Sequence, residues 1–71
     1  MSEREANNLA LVALIVKHQE AAHRLFYLAK SRMEHNGVRD PTALSFEEQA
    51  IEEIARCRKL EEILDYARNR D

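Results

Sequence analysis

The chain has 71 residues, a mass of 8.3 kDa and a formal net charge of −2, which is room for one domain and too little for most enzyme scaffolds. One glycine, one proline, no tryptophan, ten alanines and 34% charged residues describe long helices and exclude sandwiches, barrels and Rossmann-type units, which need frequent turns. Leu, Ile, Val and Phe total 17 residues, enough to exclude a disordered chain but little for a core that stands alone, so a stabilising partner is expected.

The charge is unevenly placed: −1 over residues 1–16, +3 over 17–39 together with all three histidines, and −4 over 40–71. A mildly acidic whole argues against binding a nucleic acid polymer, which needs several phosphate-facing cations on one surface. Cys57 is the only cysteine, so there is no intrachain disulfide, and a reducing, cytoplasmic setting is expected. The apolar stretch Leu9 to Val16 is too short for a signal peptide or a membrane span.

In chain order, Ser2-Glu3-Arg4-Glu5 has the capping-box spacing, in which Ser and Glu satisfy free N–H groups reciprocally. A first helix is therefore predicted over about residues 3–35, ended at Asn36-Gly37, where glycine supplies the positive φ that stops helices. A connector follows over 36–45, inside which Asp40-Pro41 can open a short turn because proline fits a first helical position. Ser45-Phe46-Glu47-Glu48 is a second capping box and predicts a second helix over about 46–69. The fold class is all-α: a single-domain, two-helix antiparallel hairpin, expected to dimerise into a four-helix bundle.

Projection at 100° per residue gives the second helix one apolar stripe of Phe46, Ala50, Ile54, Cys57, Leu60, Leu64 and Ala67. The matching stripe of the first helix is Leu11, Leu14, Ile15, Ala22, Leu25, Phe26, Ala29 and Met33, with His18 at its centre. Folding at the connector pairs residues whose numbers add to roughly 81, setting Ala22 opposite Leu60, Ile15 opposite Ala67 and Leu25 opposite Cys57. The longer first helix should then overhang by roughly 13 Å at its N-terminal side. There Leu9 to Val16 is apolar all round, the pattern of a buried helix. Leu9, Val12 and Val16 point away from the intrachain stripe, and each is worth about 1.5 to 3 kcal/mol when buried. With Leu11, Leu14 and Ile15 they are the candidate interface of a homo-oligomer, a dimer in its simplest form, with a foreign protein as the other occupant.

Each remaining cluster has a plain structural reading beside a functional one. His18 reads as a hydrogen-bonded core or interface histidine, with pH sensing as its functional alternative. Glu20 and His23 have the Glu-x-x-His spacing of di-iron bundles, yet they fall on the polar side without further inward carboxylates, so no metal is expected, and no cofactor. His23, Arg24, Tyr27 and Lys30 gather on the outer face, where a ring beside cations can stack a base and hold phosphates; the plain reading is a solvated face, the alternative function capture of an anionic nucleotide. Glu48, Glu52, Glu53, Glu61, Glu62 and Asp65 are similar to the magnesium-binding acids of all-α nucleotide pyrophosphohydrolases. Those enzymes place their acids on two helices, whereas here all lie on one.

Two further likenesses are carried by short segments. Cys57-Arg58-Lys59-Leu60-Glu61 is similar to the Ser-x-x-Leu-Asp signature of the small sporulation-type aspartyl-phosphate phosphatases. Cys57 stands where that pattern has Ser and Glu61 where it has Asp, so the residues carrying the activity are absent. Lys59-Leu60-Glu61-Glu62, with Tyr66-Ala67 after it, resembles part of the second helix of phage nucleotide-signal sponges, which implies a nucleotide ligand. The sequence reading is thus a small, non-enzymatic, self-associating hairpin that acts by binding protein as a regulator, inhibitor or co-chaperone.

Overall fold

The computed structural model describes residues 2–69. It holds two helices, α1 (Glu3–Asn36) and α2 (Pro41–Arg68), packed side by side as an antiparallel hairpin. Ser2 caps α1 by accepting a hydrogen bond from the Glu5 amide through its Oγ at 3.2 Å, as the capping box requires. At the other end the Gly37 amide donates to the Met33 carbonyl at 2.9 Å. Gly37 has φ 94° and ψ 162°, a region open essentially to glycine alone. The expected helix stop is therefore in place, though more extended than a left-handed cap.

The second helix starts five residues earlier than the capping box at Ser45 predicts. Asp40 is its cap: Oδ2 accepts from the Ala43 amide at 3.0 Å, and Pro41 occupies the first turn. Two cap signals lie in tandem here, and the upstream one wins because Asp40 is also held by α1. The same Oδ2 accepts from Arg32 Nε at 2.8 Å. Arg32 holds the Asp40 carboxyl below the usual carboxylate range, and in return the carboxylate raises the guanidinium. Ser45 lies inside α2, its Oγ accepting from Gln49 Nε2 at 3.3 Å.

An earlier start changes the register. The cross-helix contacts Arg4 Nη2 to the Ala67 carbonyl (2.7 Å), Cys57 Sγ to the Ile15 carbonyl (3.6 Å), His18 to Glu53 and Arg32 to Asp40 all join residues whose numbers add to 71 or 72. The pairing at 81 does not occur: Cys57 lies against Ile15, not Leu25. The N-terminal overhang is absent too, since Arg4 in the first turn of α1 already reaches the last turn of α2. The excess length of α1 falls at the connector, four residues long, over which Arg32 reaches back to Asp40.

What the helices bury is narrow. The buried side chains are Ile15, Ala22 and Ala29 of α1 and Ala43, Ala50, Cys57 and Leu64 of α2, seven residues apart on each helix. A strict seven-residue repeat is the seam of helices wound about one another. Most of these side chains are small, so the backbones come close enough for a thiol to touch the facing main-chain carbonyl. Close approach pushes flanking residues outward. Leu14 and Phe26, expected in the seam, are instead 43% and 40% exposed. A larger residue in the seam has nowhere to go. Ala50→Leu should destabilise the hairpin by about 1–3 kcal/mol through overpacking, read as a lower urea midpoint.

Candidate functional site

The hairpin is one helix thick, 51 × 18 × 11 Å, and therefore has two broad faces and almost no interior. The seam divides the remaining side chains between them. Residues three or six positions after a seam position share one face, because His18 and Glu53, both three positions on, meet across it. Residues one or four positions after share the other, which carries a groove of about 340 Å³ lined by Gln19, Phe26, Ile54, Arg58 and Glu61 over Ala22 and Cys57.

The first face takes Leu11, Leu14, Leu25 and Leu28 from α1. From α2 it takes Phe46, Leu60 and Ile63. Leu14, Leu28 and Ile63 are 43%, 39% and 48% exposed. Across its middle runs a row of three polar groups. Glu53 receives His18 on Oε2 and Arg56 Nη1 on Oε1, the latter at 2.9 Å. The His18 hydrogen bond holds the Glu53 carboxyl below its ordinary value, against a smaller opposing effect of burial. The expectation of a hydrogen-bonded His18 is met, and its partner is Glu53, which the sequence offered only as one of the outward acids of the second helix.

On the opposite face, Leu9, Val12, Val16 and Phe26 of α1 lie beside Leu44, Ile51 and Ile54 of α2, interspersed with Lys30, Glu47, Arg58 and Asp65. The six residues proposed from sequence as one interface are thus divided. Ile15 is buried in the seam and unavailable to any partner. Leu11 and Leu14 lie on one face; Leu9, Val12 and Val16 lie on the other. The physical reason is that an apolar run longer than two turns wraps the whole helix, so it cannot form one patch.

The candidate ligand residues are only partly brought together. His23, Arg24 and Tyr27 line a shallow depression of about 650 Å³ with Gln19 and Glu20. Lys30 lines a separate one of about 140 Å³ with Tyr27, Ser31 and Glu34. Every wall belongs to α1 and all four residues are exposed. The acids of α2 are exposed apart from the half-buried Glu47 and Glu53, and no group of three His, Cys, Asp or Glu side chains able to hold a metal occurs among the described residues. Burial pushes the Cys57 thiol up, with Glu61 and Glu53 adding to the shift, which leaves a neutral packing group rather than a thiolate nucleophile. No helix among the described residues is long and apolar enough to cross a membrane.

No protein-family model, curated protein or solved structure matches this chain. The likenesses to aspartyl-phosphate phosphatases and to phage nucleotide sponges therefore rest on the short segments that carry them.

The Glu53 row makes the hairpin acid-sensitive with a definite sign. Because folding lowers the Glu53 carboxyl, its stabilising contribution is complete above the ordinary carboxylate value and is lost as pH falls through the lowered one. The melting temperature should drop below about pH 4, and Glu53→Gln should melt lower at pH 7 with a shallower acid decline. A wild-type curve and a variant curve of the same shape would show that the row carries no linkage.

Proposed function

We propose that this protein is a self-associating helical hairpin that works by binding protein, as a small regulator, inhibitor or co-chaperone, without catalysis of its own. One observation carries this reading: among the described residues, eleven large apolar side chains, from Leu9 to Tyr66, stand more than a third exposed on a molecule one helix thick. Stable domains bury such faces between two packed layers, and each Leu or Ile recovered from water contributes about 1.5–3 kcal/mol. A second layer is therefore worth more than most single-domain stabilities, and a second copy is the partner always at hand. Two hairpins stacked face to face make a four-helix bundle. One apolar face then remains for a protein target. A cytoplasmic location fits the lone cysteine, kept as a buried free thiol.

Sedimentation velocity at tens of micromolar should give twice the 8.3 kDa chain mass, with a sedimentation coefficient that falls on dilution. A monomer throughout that range overturns the reading.

Capture of an anionic nucleotide by His23, Arg24, Tyr27 and Lys30 is the competing function. Its support is the depression that His23, Arg24 and Tyr27 share; against it, α2 lends no wall, and Glu20 and Glu34 place negative charge beside both hollows. Thermal denaturation with a panel of mono- and dinucleotides separates the two. The binding-hairpin reading expects no change in melting temperature, and a saturable rise for one nucleotide favours capture.

A further inference from the structure

We infer that the partner on the His18 face is a second copy of this chain, docked with its connector at the opposite end of the bundle. This inference rests on the self-association reading above and assigns it a face, a direction and a set of matched residues.

The choice of face follows from charge. On the Leu9 face, Lys30, Glu47, Arg58 and Asp65 are scattered among the apolar side chains, and burying them would leave charges to be compensated. On the His18 face the central charges already neutralise one another: Glu53 is held by His18 and Arg56 in one row. Beside that row lie leucines, Phe46 and Ile63 with the uncharged Gln49, and the outlying cations Arg4 and Arg32 are held by the Ala67 carbonyl and Asp40. The outline of the face, 51 by 18 Å, is about 900 Å², close to the roughly 800 Å² per partner of a standard stable interface.

Direction follows from where the row lies. Glu53 and Arg56 straddle the midpoint of α2 (Pro41–Arg68) symmetrically. A two-fold axis lying in the interface, across the hairpin at that level, stacks α2 on its own copy running the other way. It sets Glu53 of one copy against Arg56 of the second, and Arg56 against Glu53, so the row is complementary to itself. The same operation sets Phe46 over Ile63 and Leu60 over Gln49 on α2, while on α1 Leu14 comes beside Ala21, a large side chain against a small one. The two His18 rings meet at the axis. With both connectors at the same end, α2 would stack on α1, and nothing would require Glu53 and Arg56 to be centred.

The direction is tested by spin-labelling the connector. Arg39→Cys, in a Cys57→Ala background, places one nitroxide per chain at the exposed tip of the hairpin. Pulsed electron–electron distances should centre near the 51 Å length of the molecule. A distance of about two helix diameters, roughly 20 Å, means connectors at the same end and overturns the inference while the dimer itself stands. The face is tested by sedimentation of matched variants. Leu14→Asp and Ile63→Asp should each raise the dimer dissociation constant tenfold or more, and Leu9→Asp and Ile51→Asp should leave it within about threefold. The reverse pattern assigns the dimer to the Leu9 face and overturns the inference alone. A wild-type chain that sediments as a monomer overturns the parent reading as well.

Discussion

Everything in this molecule depends on how closely two helices approach along a seam of small side chains. Ala22 and Ala29 on α1, with Ala43 and Ala50 on α2, are buried almost completely. Between them the backbones come near enough for the Cys57 thiol to donate to the Ile15 carbonyl. Dispersion and helix propensity both favour such a contact, since alanine loses no side-chain entropy on burial. The same closeness caps what the seam can bury, because no large side chain among the described residues is fully enclosed. Ile15 and Leu64 are the only branched residues in it.

From that constraint the two-faced character of the hairpin follows directly. Large residues flanking a tight seam cannot turn inward, so they stand on the broad faces. A chain of this composition would elsewhere form a compact core; here the apolar material is spread over a sheet-like layer of two helices. The polar row of His18, Glu53 and Arg56 crosses the middle of one of those faces. A neutralised polar group in an apolar interface costs some affinity and in exchange fixes alignment. The ends of the hairpin are tied by separate means, Arg4 to Ala67 at the termini and Arg32 to Asp40 at the connector.

The fold class and the membership of the seam were legible in the sequence because both rest on local periodicity. Ser2 and Gly37 mark the ends of α1, and the apolar stripe of α2 includes three of its four buried residues, Ala50, Cys57 and Leu64. The start of α2 was less legible, since Asp40-Pro41 and Ser45-Phe46-Glu47-Glu48 are both sound helix openings. Only the Arg32 contact, which links positions eight apart across a turn, decides between them. Register was the least legible feature. A seam that repeats every seven residues looks the same after a shift of seven, so pattern alone cannot distinguish neighbouring alignments. For the candidate site, an apolar run that encircles its helix gives a correct total of exposed surface and no indication of which face each residue takes.

That repeat has a consequence for how the chain finds its native state. Sliding α2 along α1 by one repeat would set Ala29 against Ala50, Ala22 against Cys57 and Ile15 against Leu64, a packing about as good as the native one. What the slid form lacks is polar: His18 leaves Glu53, Arg4 leaves Ala67 and Arg32 leaves Asp40. Adhesion between the helices is thus degenerate, and identity is conferred by a few hydrogen bonds. Removing those bonds would leave two sliding alignments one heptad apart, with the seam unable to choose between them.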